Sequence, residues 1–125
     1  MNIEATFDIA KWDESTVEEW DGGKLTRASV AKTYAGDLEG DAVLEYVLTY
    51  GPDGTAPFVG IERVTGSAGG SKGALVLRQV GTFADGAAKA TLTVVGGTGD
   101  FAGASGTGEM VADPSGRVTL DVTLA

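Results

Sequence analysis

Apolar and polar residues alternate with a period of two along almost the whole chain, and this regularity limits the fold more than any other feature. Segment 2–10 sets Ile3, Ala5, Phe7 and Ile9 against Glu4, Thr6 and Asp8. Segment 26–35 sets Ala28, Val30, Lys32 and Tyr34 against Arg27, Ser29, Ala31 and Thr33. Successive side chains of a strand point to opposite faces, so the pattern describes half-buried strands. Segments 41–50, 57–66, 73–83, 87–95, 106–112 and 117–124 continue it, for a total of about eight strands. The connections "GPDGTAP", "GSAGGSKG", "ADGAA" and "DPSG" are short and turn-forming. Parallel pairing needs crossovers of about a dozen residues or more, and there is no room for them. The 20 glycines suit a strongly curved sheet, where they serve bends and close backbone approach. The predicted architecture is one all-β domain over residues 1–125, a closed antiparallel β-barrel of about eight strands.

One segment, "KWDESTVEEWDGGKL" at 11–25, breaks the period. Ser15-Thr16-Val17-Glu18 fits a capping box, which predicts a short helical turn around residues 15–20, ended by Gly22 and Gly23. Such a turn lies well across a barrel mouth. Trp12 and Trp20 then either form a lid over a ligand or plug an open barrel end.

Charge and composition exclude several classes of function. A formal net charge of −9 repels phosphate backbones and anionic bilayers, so neither nucleic acid nor a membrane is an expected partner. With neither cysteine nor histidine, the chain lacks disulfides, thiolate nucleophiles, imidazole bases and the usual zinc ligands. No metal or cofactor is expected. The acids Asp13, Glu14, Glu18, Glu19 and Asp21 lack the spacing of a calcium loop and read as a solvated face. Glu4 and Asp8 interrupt the N-terminal stretch where a signal peptide carries a basic start and an apolar run, and the expected location is cytoplasmic.

The stretch "GGTGDFAGASGTGEM" at 96–110 formally matches the dinucleotide pattern G-x-G-x-x-G/A. That motif works only where it opens a helix in a βαβ unit, so that a pyrophosphate meets the helix N-terminus. Here glycines recur through residue 108, each costing a helix about 1 kcal/mol relative to alanine. The stretch is instead predicted to be a barrel corner. It has an echo: "GDLEGDA" at 36–42 and "GDFAGAS" at 99–105 share G-D-apolar-x-G, with Leu38 or Phe101 free to turn inward.

Alternation also assigns the lumen. An unpaired buried guanidinium is costly, so Arg78 and Arg63 are placed in solvent. This sends Leu75, Leu77, Gln79, Gly81 and Phe83 inward from one strand, and Phe58, Gly60, Glu62, Val64 and Gly66 from its neighbour. Glu62 and Gln79 are the candidate catalytic pair, because a carboxylate among apolar side chains has its pKa raised unless it finds partners. The same residues also read as a buried network with Lys32 or Tyr34 that fixes register, and with the faces exchanged Glu62 reaches solvent. Trp12, Trp20, Tyr34, Tyr46, Phe58, Leu75, Leu77 and Phe83 are the candidate ligand-binding residues. On the outer face, Val59, Ile61, Val76 and Val80 supply a patch for homo-oligomerisation.

The run "GTGDFAGASG" resembles the Gly-Thr-Gly-x-Phe-x-Gly-Ala-x-Gly signature of allene oxide cyclase-like barrels and dirigent proteins. The blocks "KLTRASVAKTYAGDLEGDAVLEY", "FVGIERVTGSAGG" and "GALVLRQVGTFADG" are similar, in order, to a bacterial family of unknown function with this barrel. Members of that family often carry His where this chain has Gln79. A barrel holding one small apolar or amphipathic ligand, as other small barrels do, is the first expectation. The resemblance to allene oxide cyclases implies the alternative, a cofactor-independent cyclase or isomerase that confines a flexible unsaturated substrate, with Glu62 assisting. A packed barrel with a structural role is the third expectation.

Overall fold

The computed structural model of the chain describes residues 1–125. Eight strands form one closed ring: β1 (Asn2–Trp20), β2 (Gly23–Gly36), β3 (Glu39–Tyr50), β4 (Ala56–Ala68), β5 (Ser71–Ala84), β6 (Ala87–Gly99), β7 (Ser105–Ala112) and β8 (Gly116–Thr123). Every strand pairs antiparallel with its sequence neighbours, and β1 closes the ring against β8. The barrel expected from alternation and short connections is therefore present. It contains no helix, so no helix is long and apolar enough to cross a membrane.

The helical turn expected at 15–20 is absent. Those residues belong to β1, which runs 19 residues and pairs with β2 as far as Trp20↔Gly23. Two β-bulges, between Ile9 and Lys11 and between Thr16 and Glu18, each insert one residue into β1. An inserted residue reverses which side chains face the lumen, and so the bulges erase the period of two that marks the other strands. Before the first bulge Ile3, Ala5 and Phe7 point inward; after it Trp12, Glu14 and Thr16 take the face of Val30, Ala28 and Thr26. Gly22 and Gly23 do not end a helix. Gly22, at a φ of +93°, forms with Asp21 the turn that folds β1 back onto β2.

β1 pairs with β8 only from Asn2↔Asp121 to Phe7↔Gly116, so beyond Phe7 it has a ladder partner on one side alone. This free edge carries Asp13, Glu18 and Glu19. Charge along an exposed edge discourages pairing with another chain, which gives the acidic run a structural reason.

The two ends of the barrel differ. At one end the echoing corners close the lumen, with Leu38 and Phe101 each only 1% exposed. Asp37 joins its backbone N–H to the Glu4 carbonyl and accepts the Glu4 N–H on its own carboxylate at 2.9 Å. Asp100 repeats the arrangement with Lys72, also at 2.9 Å. Each aspartate thus splices its corner to the adjacent strand while the next residue, Leu38 or Phe101, plugs the floor. The formal dinucleotide motif is one of these corners, and a strand rather than a helix follows it. Above the floor a continuous core contains Val64, Leu75, Leu77, Leu92, Val118 and Leu120. The other end, where β1 has run past β8, is open.

Candidate functional site

The site is built by the inward side chains nearest the open end. They enclose a cavity of about 300 Å³. Eleven of its twelve lining residues are hydrophobic and the twelfth is Lys32. Trp12, Tyr46, Phe58 and Phe83 supply aromatic wall; Phe7, Leu48, Tyr50 and Met110 complete much of the rest. Tyr46 is central, with its ring 4.9 Å from that of Phe58 in an edge-on contact and 5.9 Å from that of Trp12.

Glycines make this packing possible. Gly60, opposite Tyr46 on β4, has no side chain, and a Cβ there would stand 2.5 Å from the Tyr46 Cδ1. Gly116 similarly lies under Phe7, whose ring atoms would come within 2.5–2.7 Å of an added Cβ. An aromatic side chain over a strand glycine covers exposed backbone and turns the ring across the lumen.

Beside the apolar wall lies a fully buried polar layer. Glu62 and Gln79 are both 0% exposed and Lys32 is 3% exposed. Tyr34 donates its hydroxyl hydrogen to Glu62 Oε2 at 2.6 Å, and Gln79 Nε2 donates to Glu62 Oε1 at 2.5 Å. Gln79 in turn accepts from the Tyr46 hydroxyl at 2.6 Å. Lys32 Nζ stands 3.6 Å from Glu62 Oε1, an ion pair without a hydrogen bond, and 4.1 Å from the centroid of the Phe7 ring. Burial pulls the Lys32 ammonium below the ordinary lysine range, with Glu62 opposing. The Tyr34 and Tyr46 phenols are pushed up, chiefly by burial and then by the charge of Glu62.

A second polar group holds the rim. Glu14 accepts from the Trp12 indole N–H at 2.9 Å, from Thr26 Oγ1 at 2.7 Å and from the Tyr50 hydroxyl at 2.8 Å. One carboxylate thereby fixes two cavity-lining aromatics. Burial raises the Tyr50 phenol first and the bond to Glu14 adds to it, together up to about 12. The three donors outweigh partial burial at Glu14 itself, whose pKa is lowered.

The residues singled out from sequence separate by depth. Trp12, Tyr46, Phe58 and Phe83 line the cavity, whereas Tyr34, Glu62 and Gln79 lie in the polar layer and are not among its lining. Leu75 and Leu77 are 0% exposed in the packed core, away from it. Trp20 is 48% exposed near the hairpin tip and covers Gly23. Of the outer-face residues, Val59, Ile61 and Val80 are exposed and Val76 is half-buried. Phe7, Leu48, Met110, Glu14 and the cavity-facing role of Lys32 were not anticipated. For Lys32 the signal was present, since alternation already placed it between Val30 and Tyr34. No group of acidic residues is arranged to hold a metal ion.

A closed all-β barrel with a packed floor, an open apolar mouth and a buried polar layer between them defines the class of this protein. The chain belongs to DUF3224, a family of proteins of unknown function, whose profile it matches over residues 3–124. It is similar to the crystal structure, at 1.84 Å resolution, of a DUF3224 protein of unknown function from Shewanella oneidensis MR-1. That likeness covers 100% of this chain and 97% of the other at 26% identity, with a TM-score of 0.85. A second solved structure, named pyocyanin demethylase, shares the fold at 15% identity and a TM-score of 0.67, covering 98% of this chain and 100% of that one. No curated protein sequence matches the chain.

Proposed function

We propose that this barrel binds one small, largely apolar molecule in the cavity at its open end. The observation that carries the reading is the lining itself: eleven hydrophobic residues around one lysine, enclosing about 300 Å³. Small-molecule sites are typically concave and apolar with few polar groups, and this volume lies at the lower bound of their usual range. The structural neighbour named pyocyanin demethylase supports the reading only through its fold, which in that protein carries a name implying action on a small molecule. The resemblance to allene oxide cyclase-like barrels points the same way.

The test is a fluorescence titration with an environment-sensitive apolar dye. Saturation near one dye per chain is expected, together with quenching of Trp12. Trp12→Phe removes the quenching and Trp20→Phe leaves it, because only Trp12 lines the cavity. Ala112→Trp, which fills the cavity from β7, abolishes binding. Dye uptake unchanged by Ala112→Trp sinks the proposal.

A second reading, an isomerase or cyclase in the same cavity, is favoured by the ionisable layer of Lys32, Glu62 and Tyr34 beside it. Under that reading Glu62→Gln abolishes turnover of an identified substrate while ligand affinity survives. Retained turnover removes Glu62 from catalysis.

A further inference from the structure

Lys32 is the one polar irregularity in an apolar cavity, and its ammonium is incompletely satisfied. Its Nζ is the only buried side-chain nitrogen or oxygen in the protein without a hydrogen-bond partner. An ammonium carries three donors, and a buried donor left unmade is costly. Glu62 balances the charge from 3.6 Å and the Phe7 face lies at 4.1 Å, but neither accepts a hydrogen bond. Neither neighbour can be rearranged cheaply. Glu62 is held by Tyr34 and Gln79, and Gln79 by Tyr46, so the carboxylate cannot swing toward Lys32 without breaking that chain. Lys32 also lines the cavity, and its buried ammonium is the unpartnered donor next to whatever occupies it.

We infer that Lys32 anchors an uncharged acceptor oxygen, of carbonyl type, on an otherwise apolar ligand. The inference rests on the cavity-binding reading above and specifies the chemistry of its ligand. Charge decides between a neutral oxygen and an anion. The Lys32 charge is already matched by Glu62, so a carboxylate or phenolate ligand brings an unmatched negative charge into an apolar enclosure. Glu14 adds a negative charge at the rim, where it holds Trp12 and Tyr50, and the chain as a whole carries −9. A carbonyl oxygen meets the free donors and leaves the site's charge balanced. The aromatic wall takes the rest of the molecule.

Three probes with one ring body separate these terms: naphthalene, 2-acetylnaphthalene and 2-naphthoate. Affinities are measured by Trp12 fluorescence and calorimetry on the whole chain. The ketone is expected to bind about 10-fold or more tighter than the hydrocarbon, as a hydrogen bond to a charged group provides. The naphthoate is expected to bind weakest. Lys32→Met removes the ketone's advantage, and the paired variant Lys32→Met with Glu62→Gln repeats the measurement without an isolated buried carboxylate. Equal binding of ketone and hydrocarbon, tightest binding of the naphthoate, or a ketone preference that survives in the paired variant each overturns the inference and leaves cavity binding standing. Binding of none of the three overturns the cavity reading and this inference with it.

Discussion

Lys32 and Glu62 form the only ion pair inside the barrel, their charged atoms 3.6 Å apart and both side chains at most 2% exposed. The other two pairs, Arg27 with Glu45 and Arg117 with Asp113, lie in solvent and contribute little to stability. The buried pair is different, because removing one member strands the other. Glu62→Gln or Lys32→Met alone is expected to cost about 3–5 kcal/mol in urea denaturation, whereas the combined variant recovers most of it. A combined variant as unstable as the sum of the two single ones shows that the charges act independently.

Gly60 and Tyr46 yield a packing prediction. A Cβ at position 60 meets Tyr46 Cδ1 at 2.5 Å and the Glu45 carbonyl oxygen at 2.8 Å, and the second contact is with backbone. Gly60→Ala is therefore expected to displace the Tyr46 ring, lengthen its bond to Gln79 and destabilise the protein by about 1–3 kcal/mol. Gly96→Ala is the control, since nothing lies within 4 Å of its added methyl group. There the change is expected to be neutral or stabilising by up to about 1 kcal/mol. Urea midpoints and near-ultraviolet circular dichroism of the two variants decide the matter.

All three tyrosines have phenols raised above the ordinary 10.0, Tyr34 and Tyr46 mainly by burial in the polar layer and Tyr50 to about 12 at the rim. Above pH 10 the unfolded chain gives up phenolic protons that the folded chain keeps. The tyrosines' contribution is complete below that pH and declines as pH rises through the raised values. Lys32 acts in the opposite sense between its lowered value and 10.5, then ceases to change. Stability is therefore expected to fall above about pH 10.5, with the phenolate absorbance of Tyr34 and Tyr46 appearing together with loss of tertiary circular dichroism. Ionisation of all three tyrosines near pH 10 in the folded protein contradicts the burial assigned to them.

How much of this was legible in the chain is best judged strand by strand. On β4 and β5 the inward series Phe58, Gly60, Glu62, Val64 and Leu75, Leu77, Gln79 follows from keeping Arg63 and Arg78 in solvent, and the structure has that parity. The matched corners at Leu38 and Phe101 were visible as an echo because each needs the same glycines around the same bend. β1 was not legible beyond Ile9. Its bulges reverse the facing of residues, and a local capping pattern at Ser15–Glu18 suggested a helical turn. The cross-strand ladder to β2 outweighs that preference, since a helix of one or two turns has little stability of its own.

Which residues share a face of a regular strand could be read from the chain alone, because facing is a local property with a period of two. The antiparallel pairing could be read as well, because the connections are too short for anything else. Depth along the barrel axis could not, and it emerges only once the strands are assembled. It depends on stagger between strands and on where each strand ends, which no single strand encodes. That is why Leu77 and Phe58, alike in sequence as inward apolar residues, part company, one in the packed core and the other on the cavity wall. It is also why Lys32 meets Glu62: β2 and β4 are separated by β3, and only closure of the sheet around a narrow lumen brings their side chains within reach.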